Sequence, residues 1–191
     1  MISWKPLLSA LGVLLSAGES HAQTASALAR WAEPVREASQ RFGVPEDWIY
    51  RVMQAESGGQ THLNGQPIRS KVGAMGLMQL MPGTWSDMRR AHNLGADPDD
   101  PRDNILAGTA YLRAMFDRFG YPGLFAAYNA GPARYAASLK GETLPAETRA
   151  YLKKLVPENQ PPVADVPSLT PSDRGLFAMK RTAEGEPGPK P

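Results

Sequence analysis

Between Thr24 and Val156 the apolar residues recur every three to four positions, and Gly and Pro cut that pattern into short pieces. Such a chain can bury its apolar stripes only as a packed set of short helices. Leu28, Trp31, Val35, Ala38 and Phe42 predict a helix from Thr24 to Phe42, kinked or truly started at Pro34. Gly43 ends it, and Pro45 opens the next at its first position, with Glu46 and Asp47 on the positive end of the helix dipole. In this second helix Ile49, Val52, Met53 and Glu56 share one face, three apolar residues and one acid. Gly58-Gly59 stops it.

Residues 60–72 are polar, with Gly65 and Pro67, and read as a loop or a small hairpin of low regularity. Gly73 and Gly76 let the backbone pass close to another segment. A third helix is expected from Pro82 or Thr84 to about His92, with Trp85 and Met88 inward. Asp100-Pro101 caps and starts a fourth, marked by Ile105, Thr109, Leu112, Phe116 and Phe119, to about Gly120. Leu124 to Asn129 forms a short fifth helix, Arg134 to Lys140 a turn or two, and Pro145 to Val156 the last helix, with Ala146, Tyr151, Leu152 and Leu155 apolar. Alternating strands and internal repeats are absent from the pattern, so the fold class is mainly α in a single domain.

The two ends differ from this middle. Lys5, the apolar run Leu7 to Ala17 and Ser20-His21-Ala22 have the layout of a signal peptide, so cleavage is expected after Ala22 and the mature chain begins at Gln23. Residues 157–191 hold 8 of the 18 prolines and no apolar period, as expected of a disordered tail. Residues 23–156 carry 16 Lys+Arg against 13 Asp+Glu, so the positive charge lies on the folded part. That balance lacks the dense cationic stripe of a nucleic-acid binder and suits work beside an anionic polymer.

Several chemistries are disfavoured by the residues. The chain has no cysteine, so neither a disulfide framework nor a thiolate metal site is available. His62 and His92 stand outside any metal-ligand spacing and are expected at the surface. Gly73 and Gly76 are not followed by the lysine of a phosphate loop. Asp97, Asp99, Asp100 and Asp103 lack the order of a calcium loop and read as a solvated helix cap. The expected cofactor and metal content is none.

Glu56 is the residue with a chemical edge. A carboxyl at the end of a buried stripe loses solvation of its charged form, so its pKa rises toward the range of a general acid at neutral pH. Around it stand four segments in order: Ala55-Glu56-Ser57, Gly76-Leu77-Met78-Gln79, Ala127-Tyr128-Asn129-Ala130-Gly131 and Glu147-Thr148-Arg149-Ala150-Tyr151. Together they resemble the soluble lytic transglycosylase family, over roughly residues 27–156.

The resemblance implies a lysozyme-like domain, spanning 23–156, that cleaves the MurNAc–GlcNAc β-1,4 bond of peptidoglycan without water and leaves a 1,6-anhydro end. Glu56 would be the single acid and base. Ser57 would help orient substrate, Met78 would line the cleft floor, Gln79 and Asn129 would hold sugar groups, Tyr128 would present its ring and hydroxyl, and Tyr151 would support the acid or the developing positive charge. Residues 58–72 form a longer, more hydrophilic segment than the family often has, which bears on which strands fit the cleft. The implied partners are peptidoglycan glycan strands in the periplasm and, by analogy, a secretion or conjugation complex reached through the tail. Two other functions remain open: a goose-type lysozyme hydrolysing the same bond, and a non-catalytic glycan-binding or assembly protein.

Overall fold

The computed structural model describes residues 27–156. The expected signal peptide at 1–22 and the Pro-rich tail at 157–191 lie outside the described residues. After a helical piece described at 27–29, seven α-helices follow one another there: α1 (Ala32–Phe42), α2 (Glu46–Ser57), α3 (Pro82–Ala91), α4 (Pro101–Phe119), α5 (Gly123–Ala130), α6 (Pro132–Ser138) and α7 (Ala146–Leu155). Between α2 and α3 lies a two-stranded antiparallel hairpin, β1 (His62–Leu63) and β2 (Gln66–Pro67), pairing His62 with Pro67 and Leu63 with Gln66. The polar 60–72 stretch thus takes its hairpin alternative, and the fold class is mainly α as expected.

α4 is the axis of the fold. It packs against α1, α3 and α5, while α5 also meets α6 and α7, and α2 lies between α1 and α7. Every residue from Asn104 to Arg113 is buried. Asp100 caps this helix as its sequence requires, its carboxylate accepting the Asp103 N–H at 2.8 Å. The buried guanidinium of Arg113 pairs with Asp117 at 2.8 Å and donates to the carbonyls of Phe42 and Gly43, so the end of α1 is tied to the axis. Trp48 of α2 fills the centre, its ring 5.3 to 5.9 Å from those of Phe116, Tyr121 and Phe125. A fully buried side chain of this kind contributes on the order of 2–3 kcal/mol, so α2 is held firmly under its apolar face.

Two expectations need correction. The first helix is not one piece from Thr24: α1 begins at Ala32, after a turn at Arg30-Trp31. Pro34 has no N–H and its ring would clash with the carbonyl four residues back, so it is accommodated only in the first turn, where donors are unpaired anyway. Residues 24–26 fall outside the described residues. The turn is used. Trp31 Nε1 and an Arg30 guanidinium N–H both donate to the Gly59 carbonyl, at 2.9 and 2.8 Å, anchoring the exit of α2.

The second correction is His92, which is 7% exposed rather than at the surface. Its ring packs edge-on against Phe42 at 4.9 Å, and Arg41 donates to its carbonyl. Burial and the Arg41 charge both lower its pKa, which favours the neutral imidazole. His62 is exposed as expected.

Candidate active site

Helix α2 delivers Glu56 to the edge of the core. Its preceding turn places Trp48, Ile49, Val52 and Met53 inward, and Gly58 at φ +62° ends the helix in the left-handed conformation its sequence predicts. Glu56 is left half-buried. Burial raises its pKa to about 7, the Tyr151 hydroxyl opposes that rise, and the charge of exposed Glu147 adds to it. The Tyr151 hydroxyl is itself buried and completes no hydrogen bond of full geometry; it stands close enough to the Glu56 carboxyl to favour the charged form.

The second segment is a tight loop closed by Met75 and Leu80, which exchange backbone hydrogen bonds at 2.9 and 3.0 Å. Gly76 at φ +71° cannot be replaced freely: a Cβ there would lie 2.3 Å from the Asn104 amide nitrogen. Asn104, from α4, accepts the Met78 N–H at 2.8 Å and donates to the carbonyls of Met75 and Pro98. Gln79 adopts φ +46°, an uncommon conformation for a residue with a Cβ. Its amide nitrogen donates to the Gly76 carbonyl at 2.8 Å, which leaves the amide oxygen as the side chain's acceptor.

Helix α5 supplies Tyr128 and Asn129. The Tyr128 hydroxyl donates to the Met78 carbonyl at 2.7 Å. Asn129 accepts from Thr148 Oγ1 of α7 at 2.7 Å, which fixes the amide and frees its N–H donors. Thr148, not Ala146, is therefore one of the inward positions of the last helix, with Tyr151 and Leu155.

These placements sort the expected site residues. Gln79, Tyr128 and Asn129 line one cavity of about 300 Å³ between α3, α4 and α5, together with Tyr111, Thr84 and Met81. Glu56 and Tyr151 form a second group beside it rather than on its lining. Tyr128 joins the two: its ring lies 5.2 Å from that of Tyr111, and its hydroxyl, raised in pKa first by burial, also feels the Glu56 charge. Ser57 turns away from the cavity and serves backbone, its Oγ donating to the Leu77 carbonyl at 2.8 Å and accepting the Gly59 N–H. Met78 is fully buried, packed against Gly108 of α4. A larger, open depression of about 420 Å³ beside Leu63, Gln66, Pro67 and Arg69 holds none of the expected residues.

Sequence reasoning passed over Asn104 and Tyr111. The signal for both is the run Asn104 to Leu112, apolar almost all round as befits a central helix, in which a single polar or hydroxylated residue needs a reason. Of the cluster Asp97, Asp99, Asp100 and Asp103, Asp99 makes a two-pronged pair with Arg69 at 2.6 Å that ties the segment after the hairpin to the loop before α4.

Comparison with known proteins identifies a family and shared fold. Residues 33–147 match the family described as the transglycosylase SLT domain. The soluble lytic murein transglycosylase of Escherichia coli K12 is 33% identical over 132 residues, covering 59% of this chain and 20% of that protein. The transglycosylase of Enterobacteria phage PRD1 is 31% identical over 144 residues, covering 74% of this chain and 50% of its own. The chain thus spans between a fifth and a half of the length of these relatives. An inactive glutamate-to-glutamine mutant of lytic transglycosylase Slt from Pseudomonas aeruginosa superposes with a TM-score of 0.56 at 31% identity, over 65% of this chain and 22% of the other. The mainly α, lysozyme-like architecture is shared with such neighbours. With more than half of its length inside the matched region, the chain belongs to the transglycosylase SLT domain family.

Proposed function

We propose that the domain spanning 23–156 is a peptidoglycan lytic transglycosylase that uses Glu56 alone, first as acid and then as base. The observation that carries this is the half-buried carboxyl whose pKa stands at about 7, beside a buried tyrosine hydroxyl. An acid with that pKa is populated in both protonation states near neutrality, as a residue that gives a proton and then takes one back must be.

The steps follow from the substrate's own groups. Glu56 gives its proton to the glycosidic oxygen as the C1–O bond breaks. The N-acetyl carbonyl oxygen of the same sugar bonds to C1 and holds the positive charge, with the Tyr151 hydroxyl beside the carboxylate just formed. Glu56 then takes the proton of the C6 hydroxyl, whose oxygen bonds to C1 and displaces the acetamido oxygen. No water is consumed, and the nucleophile is tethered, which supplies the proximity advantage of an intramolecular reaction. Gln79 and Asn129 hold sugar hydroxyl or acetamido groups, Tyr128 walls the cavity, Met78, expected on the cleft floor, instead backs the 76–79 loop from within the core, and Ser57 orients substrate indirectly by holding that loop.

Exported full-length protein digesting sacculi should release anhydro-muropeptides, read by mass spectrometry, and Glu56→Gln should abolish them. Reducing-end products in their place would mean hydrolysis, as in a goose-type lysozyme. No product at all from the wild type would mean a glycan-binding or assembly role. Export to the periplasm by the 1–22 segment, and recruitment to a secretion or conjugation complex through 157–191, belong to the same reading. They are supported by the composition of those segments and by analogy with relatives that act locally on the wall. Deleting 157–191 should spare cleavage in vitro and impair recruitment.

A further inference from the structure

The open depression beside the hairpin takes no part in the mechanism above. Leu63, Gln66, Pro67 and Arg69 line its volume of about 420 Å³. All four lie within residues 58–72, the stretch that separates the acid-bearing helix from the 76–79 loop. Leu63 stands 58% exposed on this surface.

Backbone pairing fixes where the depression stands relative to the cavity. Met75 gives both of its backbone groups to Leu80, a residue of the cavity lining. Its neighbours bond the other way: the Gly76 N–H donates to the Ile68 carbonyl, and the Ala74 carbonyl accepts the Ser70 N–H. Met75 therefore lies between Arg69 and Leu80 and is paired with each. Paired strands stand about 5 Å apart, so two such steps separate Arg69 from Leu80 by roughly 10 Å. The surface is also firmly placed. Arg69 is clamped to Asp99 by two hydrogen bonds at 2.6 Å and donates to the Ile68 carbonyl at 2.8 Å. The Ile68 N–H donates in turn to the carbonyl of Thr61, just past the end of α2.

The lining decides what kind of ligand fits. Asp99 neutralises Arg69, so the depression is not an anion site. None of its four lining residues is aromatic, so it offers no ring for a sugar face to stack on. What it does offer is an aliphatic wall, Leu63 and Pro67, and the Gln66 amide, which both donates and accepts. That combination suits a peptide with small aliphatic side chains: its amide bonds pair with Gln66 and its methyl groups cover Leu63. Peptidoglycan carries such a peptide, rich in alanine, on the lactyl group of MurNAc. Three extended residues span roughly 10 Å, so a stem borne by a sugar beside Leu80 reaches the depression.

We infer that the hairpin depression is a recognition site for the peptide stem of the bound glycan, with Leu63 and Pro67 against alanine methyl groups and Gln66 hydrogen-bonded to the stem backbone. The inference rests on the glycan-cleaving function proposed above and names a part of the substrate that the mechanism leaves unheld. The test compares intact sacculi with glycan strands stripped of their peptides by an amidase. The full-length double variant Leu63→Ser, Gln66→Ala should lose roughly five- to tenfold in kcat/KM on sacculi, the size of one lost hydrogen bond, and nothing on stripped strands. Both side chains are exposed, so the melting temperature should hold within a degree or two. Equal loss on both substrates would make the depression part of the glycan cleft and overturn the inference. No loss on either would overturn it too, leaving the surface to a protein partner, a second copy or residues 157–191.

A second measurement reads the contact directly. In full-length Glu56→Gln protein labelled with carbon-13 at the leucine methyl groups, the Leu63 signal should move when GlcNAc-MurNAc-tetrapeptide is added. It should stay in place when the N-acetylglucosamine tetramer is added. A Leu63 signal that ignores the muropeptide, or follows both ligands equally, would refute the stem contact. The two readings fail separately: cleavage that survives Glu56→Gln overturns the function, whereas cleavage lost in Glu56→Gln with the double variant indistinguishable from wild type on sacculi overturns only the stem site.

Discussion

Glu56→Gln should make the protein more stable, and by an amount that depends on pH. The Glu56 carboxyl titrates at about 7 in the native state against an ordinary value of 4.5. Below pH 4.5 it is protonated in native and unfolded chains alike, and the wild type keeps all its stability relative to the variant. As pH rises from 4.5 to about 7 the unfolded chain releases this proton while the native chain retains it. The unfolded state then binds fewer protons, and stability falls with pH. Above about 7 the native carboxyl ionises in its half-buried position and the loss is complete, at about 3 kcal/mol. Glutamine has nearly the same shape and no proton to lose, so the stability gap between the variant and wild type should open from near zero at pH 4 to about 3 kcal/mol at pH 8. For a folded part of this size roughly 3 to 5 °C accompanies each kcal/mol, which makes the gap about 10 °C in melting temperature. Thermal melts followed by circular dichroism at half-unit pH steps measure it. His92, whose pKa burial lowers, titrates in both proteins and cancels from the difference. A gap that stays constant across the range, or never opens, would refute the claim that burial governs this carboxyl.

Other perturbations test the frame that holds the acid. Gly76→Ala combines a Cβ 2.3 Å from the Asn104 amide with a φ of +71°, and should cost about 2–4 kcal/mol in urea denaturation. Tyr128→Phe leaves the Met78 carbonyl without its side-chain donor and should cost about 1–3 kcal/mol by the same assay. Thr148→Val frees the Asn129 amide to rotate; it should lower kcat/KM on sacculi about tenfold while costing only about 1 kcal/mol of stability.

Apart from the first, broken at Arg30-Trp31, the helices were legible because each obeys a local rule. Asp100 with Pro101 starts α4, Gly58 ends α2, and Trp85 and Met88 face inward on α3 as their spacing requires. The elevated pKa of Glu56 was legible for the same reason, since the stripe Ile49, Val52, Met53 sets the burial of the next residue on that face. What periodicity did not reveal depends on contacts between distant segments. His92 is buried by Phe42, fifty residues earlier. Asn104 meets Met78, twenty-six residues away. In α4 every position from 104 to 113 is buried, so a one-stripe reading selected Ile105, Thr109 and Leu112 and gave no weight to Tyr111, which lines the cavity.

The short loop 76–79 explains why recognition and folding are hard to separate in this chain. Gly76 is small because Asn104 crosses its face. Leu77 is buried and gives its carbonyl to Ser57 of the acid-bearing helix. Met78 is buried and has both backbone groups bound, its N–H by Asn104 and its carbonyl by Tyr128. Only Gln79 turns its side chain to the cavity, from a backbone conformation that the preceding three residues hold in place. Side chains from α2, α4 and α5 thus converge on adjacent backbone groups of one turn, and through that turn the register between Glu56 and the Gln79 amide is set. A residue can therefore matter to such a site without lining its cavity, and Ser57 and Met78 are of that kind: their contacts are with the loop and the core, and under the proposed function they would act on substrate only through where they put Gln79.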